Sequence, residues 1–434
     1  DFIDNLVDTA FNLPLTPAPF WGYYSYSDFT DYDTENQQYI LEWFVQTGND
    51  FINEDLRGRL AFFWMNHFVT ELEVYFHSPY MFQYYNLMQS HALGNFKNLT
   101  HQAGINNAML LYLNGYENTN TNPNENYARE LFELFTLGEG NGYTQTDITE
   151  TARALTGYNH RVEWGAPIYF DQATHDTGVK NILGQSGNWG YTDVIDILFQ
   201  ERETETANYI CRKLYRFFVG PDVDALIEQQ VIQPLAQTFI ANNFELVPVL
   251  KQLFKSEHFF DERAVGVVIK SPVDVIFNYL NETGFFYDDT LMDSFLYYAA
   301  LIGQDIYEPP DVSGWQRDEN WINSSTLTGR WQLLQLFNDH LFNEGYELGF
   351  PDLAKDLTND SNDPAFITQV MVDHLVPKGL FTPTDYEIAT DVLKWDIPQN
   401  YYDQGIWNLD FSSAPLQVML LLNHIVRMPE FQLK

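Results

Sequence analysis

The sequence predicts a mainly α fold, a multi-helix globular bundle with one small irregular or β-hairpin segment near residues 159–190. Three observations predict it. Apolar residues recur at helical spacing in segment after segment, start and stop signals bracket those segments, and strand-like alternation is confined to RVEWGAPIYF and its Gly-, Asn- and Asp-punctuated surroundings. In chain order, patterning or capping places helices at 35–46, 53–76, 79–92, 104–113, 123–137, 145–156, 191–200, 204–218, 222–241, 246–255, 271–282, 290–302, 326–344, 364–375, 383–394 and 414–426. No fixed-period repeat is present, which argues against a solenoid. The chain reads as a single domain, 1–434, divisible into helical lobes 1–158 and 191–434 joined by the irregular segment 159–190. Low complexity is confined to ENTNTNPNEN (117–126) and DLTNDSNDP (356–364); the second lacks the glycine and final glutamate of an EF-hand loop and reads as a solvated turn.

Composition bounds the class. With 434 residues, 45% of them hydrophobic and 16% aromatic, the chain can bury one large core or two modest ones. No apolar run approaches the roughly 20 residues of a membrane helix. Against 60 acidic residues stand 22 basic ones, a net charge of −38 that repels nucleic acid and anionic membrane surfaces. Such acidity suits salty or extracellular water and welcomes divalent cations. The single cysteine, Cys211, excludes intramolecular disulfides and cysteine-based metal clusters, and its apolar helical stretch places it in the core.

The most informative stretch is PNENYARELFELFTLG (123–138). Asn122 is placed to cap, Pro123 to start the helix and Gly138 to close it as a left-handed residue. Tyr127, Leu131, Leu134 and Phe135 form an apolar stripe, with Asn126, Glu130 and Glu133 beside it. Glu130 and Glu133, three apart, either work as a general acid and base, with or without a cation, or pair with Arg129 and Arg153 as a buried scaffold.

This stretch, followed by YTQTDITETARALTGY (143–158), HDTGVKNILGQSGNWG (175–190), KLYRFFV (213–219), IKSPVDVI (269–276) and GQDIYEPPDVSGWQ with WINSSTL and Arg330 (303–330), resembles in that order the bacterial domain-of-unknown-function 1800 family. FWMNHFVT (63–70) and HALGNFKNLT (91–100) extend the resemblance upstream. The resemblance implies an exported protein, often encoded beside a second family similar to sulfatases and phosphatases, and implies no assigned chemistry. The family usually opens with an Arg-x-x-x-Phe-Gly segment ahead of the point where this chain begins, which implies processing at Asp1 or residues that precede it. It also commonly carries a His-Pro pair before KLYRFFV, where this chain reads ERETETANYICRKL (201–214).

Further candidates lie outside the acid helix. His67, on an aromatic face with Phe62, Phe63, Trp64 and Phe68, is either a satisfied core residue or an imidazole offered as base or metal ligand, with Glu71 one turn away to orient it. The turn HDTGVK brings His175, Asp176, Gly178 and Lys180 together; it binds a metal, orients a nucleophile or simply builds a turn, and the resemblance makes it one of the family's most recognisable blocks. Around two prolines, Trp315, Trp321, Asn323, Arg330 and Trp331 either form a carbohydrate-stacking surface or plug the core. Di-iron and zinc-protease patterns, a Gly-x-Ser-x-Gly elbow and a P-loop are all absent. The expectation is an extracytoplasmic enzyme, in the periplasm, at the cell surface or secreted, acting on a polysaccharide or other cell-envelope polymer. Glu130, Glu133, His175, Asp176 and His67 would be catalytic, while Arg153, Lys180, Trp315, Trp321 and Arg330 would bind substrate. No cofactor is evident beyond an optional divalent metal. The rival expectation is a non-catalytic surface component meeting a protein partner, its motif residues serving as ion-pair girders.

Overall fold

Side chains that accept the first free amides of a helix set many of the helix starts. Thr144 with Asp147, Ser271 with Asp274 and Thr382 with Asp385 form reciprocal capping boxes, and Pro272, Pro364 and Pro383 stand in the first turn, where a missing N–H costs nothing. The computed structural model describes residues 2–434 and is 61% helical, the mainly α class that the patterning predicts. Its strands are two short antiparallel pairs, Tyr158–His160 with Tyr169–Phe170 and Lys180–Ile182 with Gln185–Gly187. The second pair turns through Leu183 and Gly184 at φ 50° and 90°, the left-handed geometry that two-residue hairpins require.

Several predicted helices change at their ends or divide. The expected 53–76 helix is two, Asp55–Met65 and Leu72–Tyr75. The 222–241 helix contains a wider π turn at Glu228–Ile232, and 104–113 shortens to Asn107–Tyr112. Helices Phe2–Asn12, Phe96–Gly104 and Gly349–Thr358 were not predicted. Asn95, whose side chain accepts the Asn98 amide, is a cap signal that marks the second of these.

The chain forms two compact units. One runs to Ser256 and takes in Ile306–Trp315; the other holds Glu257–Asp305 and Gln316–Lys434. Segment 159–190 lies inside the first. That unit is packed with aromatic rings, and its returning segment is tied in by specific contacts. Leu72 N–H donates to the Tyr307 carbonyl (3.1 Å), and the hydroxyls of Thr47 and Tyr307 meet at 2.7 Å. Asn66 Oδ1 accepts the Trp315 amide at 2.7 Å, and Trp315 stacks on Phe62 with ring centroids 5.2 Å apart. A buried polar network also crosses this unit. Arg57 grips Glu54 through two nitrogens, Gln89 donates to Glu54 (2.8 Å), and Thr16 and Gln46 each donate to Asp50 at 2.7 Å. Burial pushes the Asp50 carboxyl up to about 6, against the hydrogen bonds of Thr16 and Gln46.

The second unit satisfies its interior polar groups in chains. Tyr279 donates to Asn338 (2.8 Å), Asn338 donates to Asn423 (2.9 Å), and Gln417 joins Trp407 to the Leu393 carbonyl at 2.8 Å each way.

Two predictions follow from the first unit. At Gly314, φ is +93° and an added Cβ would lie 2.1 Å from Asn66 Oδ1, so Gly314→Ala is expected to cost at least about 2 kcal/mol in urea denaturation. A carboxyl with a raised folded pKa contributes stability at low pH that is lost as pH rises through that pKa. Asp50→Asn is therefore expected to gain about 2–3 kcal/mol relative to wild type between pH 4 and pH 8, read from urea midpoints at the two pH values.

Candidate functional site

The acid helix begins later than its proline implies. Asn118 Oδ1 accepts the Asn124 amide and Asn124 Oδ1 accepts the Asn126 amide, each at 2.9 Å, so helical structure starts at Asn126 and neither Asn122 nor Pro123 occupies the predicted start position. After Glu130 it widens into a π turn, Leu131–Thr136, whose Phe132 carbonyl receives the amides of Leu137 (2.9 Å) and Gly138 (3.2 Å). Gly138, at φ +91°, closes it as predicted. Tyr127, Leu131, Phe132 and Phe135 are buried, while Leu134 is only half-buried.

On the other flank Arg129 pairs with Glu125 (3.1 Å) and Glu133 (3.3 Å), one helical turn to either side. Glu130, half-buried, has no hydrogen-bond or ion-pair partner among the described residues. Its burial, then the Glu133 charge, hold its carboxyl above the ordinary range, opposed by Arg129. Nearby, the Tyr112 hydroxyl donates to Glu71 (2.9 Å); burial first, then Glu71, Asp311 and Glu130, hold the phenol well above its ordinary range.

Arg153 does not pair with either glutamate of the acid helix. Its Nε and Nη2 reach the two oxygens of Asp176 (2.8 and 3.2 Å), and its Nη1 reaches Glu150 (2.9 Å). Glu150 lies three residues before Arg153 on one helix face, a local signal that the reading of this helix passed over. The Asp176 amide donates to Thr156 Oγ1 (2.8 Å), which holds its backbone, and the Gly178 amide donates to Asp176 Oδ1 (2.7 Å), which with Arg153 holds its carboxylate. The Arg153 hydrogen bonds hold Asp176 below the ordinary carboxylate range. Lys180 is fully buried and donates to the Asp176 carbonyl; burial lowers its pKa. His175 uses Nδ1 on the Thr156 carbonyl (2.8 Å) and packs on Phe170. The HDTGVK turn is thus a saturated knot of Arg153, Glu150, Asp176 and Lys180.

His67 lies beyond the end of its helix, among Trp64, Phe68, Phe96 and Phe135 at centroid distances of 4.6 to 6.0 Å. Lys213 Nζ stands 3.0 Å from its Nδ1, and its Nε2 is 3.0 Å from the Phe135 carbonyl. An ammonium only donates and a carbonyl only accepts, so Nδ1 is the acceptor, Nε2 carries the proton and the ring is neutral. Glu71 orients Tyr112 rather than this imidazole.

Trp315, at 4% exposure under Phe62, and Trp321, at 6%, present no open face for a sugar to stack on; the core-plugging alternative describes both. Trp321 and Arg330 belong to the second unit. Arg330 is 1% exposed and donates to the Lys270 carbonyl at 2.6 Å. The structure therefore brings Arg153, His175, Asp176 and Lys180 together, pairs Glu133 with Arg129 and leaves Glu130 beside them without a partner among the described residues. Among the described residues, no group of three or more His, Cys, Asp or Glu side chains is arranged to hold a metal ion, and no helix is long and apolar enough to cross a membrane.

A carboxylate with a lowered pKa contributes stability above its ordinary pKa that is lost as pH falls through the folded one. Asp176→Asn is expected to lower the urea midpoint at pH 7, with the difference from wild type closing below about pH 4.

No curated protein and no solved structure matches this chain. A profile of proteins of unknown function, DUF1800, matches residues 10–433, nearly the whole length, and the chain belongs to that family.

Proposed function

We propose that the protein is an extracytoplasmic enzyme acting on a polysaccharide or another cell-envelope polymer by acid–base catalysis, with Glu130 as the proton donor. One observation carries this reading: Glu130 is a half-buried acid without a partner, beside a second acid, Glu133, that has one in Arg129. Two neighbouring carboxyls whose surroundings differ in this way are the usual arrangement for an acid and a charge-stabilising partner. Tyr112, hydrogen-bonded to Glu71 nearby, supplies a further polar group at the same place. The net charge of −38 and the family resemblance support an extracytoplasmic setting. Tryptophan stacking has no part in this reading, and substrate would be held by polar contacts.

A specific observation favours the second reading, a non-catalytic surface component. Arg153, Asp176, Glu150 and Lys180 spend their hydrogen bonds on one another and on backbone, as girders do. The two readings part at Glu130. As an acid with a raised pKa, it opposes folding at neutral pH, so Glu130→Gln is expected to leave stability at pH 7 unchanged or slightly raised. Reducing-end release from a panel of cell-envelope polysaccharide fractions is expected to fall by roughly 10²-fold or more in that variant. The wild-type rate is expected to decline as pH rises above the ordinary glutamate range. Full turnover in a folded Glu130→Gln protein would overturn the role given to Glu130, and no release by the wild-type protein from any fraction would leave the girder reading.

A further inference from the structure

The second unit holds a buried cation with no direct ion-pair partner among the described residues. Lys270 is 2% exposed, and its backbone is fixed at both polar atoms: the amide donates to the Gln432 carbonyl (2.8 Å) and the carbonyl accepts from Arg330 (2.6 Å). Its Nζ lies 4.1 Å from the centroid of the Phe431 ring and has no hydrogen-bond or ion-pair partner among the described residues. Arg330 beside it leaves Nε and Nη2 unpartnered. The buried carboxylate of this region, Asp274, receives the Ser271 amide (2.9 Å) and Lys434 Nζ (2.5 Å) instead. An ammonium has three donors, and leaving them unmet in a buried site is costly unless an acceptor arrives.

Space for that acceptor exists. Lys270 lines a cavity of about 70 Å³ with Asn278, Glu282 and His374 as its other polar walls and Pro377 and Phe431 among its apolar ones. A water needs roughly 10–15 Å³ in such a cavity, so this one admits a molecule of a few heavy atoms. His374 Nε2 is engaged by Glu282, at 2.7 Å from its carbonyl and 3.3 Å from its carboxylate. Glu282 adds negative charge to the wall, which disfavours a doubly charged ligand; the proline and the ring favour one with an alkyl end. We propose that this cavity binds a small monocarboxylate, its oxygens taken by Lys270 and the Asn278 amide and its alkyl end set against Pro377 and Phe431.

The test is isothermal titration of the protein with sodium acetate and sodium propionate, with sodium chloride and sodium phosphate as comparisons at matched ionic strength. Saturable binding of one acetate or propionate per chain, weakened at least tenfold in Lys270→Met, is expected. Asn278→Leu is expected to weaken it as well, and provides a second reading if melting curves show Lys270→Met unfolded. Absence of saturable carboxylate binding to wild type overturns the proposal. So does binding retained in both folded variants, and so does phosphate binding tighter than acetate.

Discussion

The first unit depends on how its returning segment is gripped at both ends. Its chain leaves at Ser256 and returns for only ten residues, Ile306–Trp315, too few to fold alone. Asn66 holds the end of that return by accepting the Trp315 amide, and Gly314 permits the approach because it has no Cβ to collide with the asparagine. Trp315 then covers Phe62, while Tyr307, its carbonyl held by the Leu72 amide, bonds Thr47. The helix ends at Met65, and Asn66, its C-cap, is the residue that accepts the Trp315 amide.

Charge is distributed unevenly with respect to depth. The chain has 22 basic residues against 60 acidic ones, yet Arg57, Lys180, Lys270 and Arg330 are all buried. Asp50, Glu54, Asp274 and Glu430 are buried too, so four of the few cations share the interior with four of the many acids, and the acidic excess lies outside, where it repels like-charged surfaces. Arg57 and Lys180 meet carboxylate or carbonyl oxygen; Lys270 meets an aromatic ring and open space.

Legibility in the sequence followed the range of the interaction. Helix class, the capping-box spacing of Thr144 with Asp147 and the glycine stop at Gly138 are local chemistry and were readable. The start of the acid helix was misplaced because several asparagines compete within one run and only the fold decides that Asn118 and Asn124, not Asn122, bind the amides. Arg153 was given the wrong partners, since Asp176 and Glu130 both lie 23 positions from it and distance in sequence cannot choose between them. The burial of Trp315 rests on a contact spanning 249 positions, which no window of the sequence contains. Lys270 lies within the IKSPVDVI block, but the cavity at its side chain forms only once residues 374 and 431 are beside it.

The line from Lys213 through His67 to the Phe135 carbonyl has a direction. Each member donates to the next, and the last cannot donate at all. A relay requires every link to reverse after a proton has moved, so this line is a dead end for proton transport. What it passes along is polarisation: a positive charge at one end draws electron density through the imidazole and makes its N–H a stronger donor to the peptide of the π turn. Lys213 also donates directly to the Leu134 carbonyl (3.3 Å), so the π turn feels one charge by two routes, and a histidine that looks reactive in the sequence acts as an insulated conductor on the second.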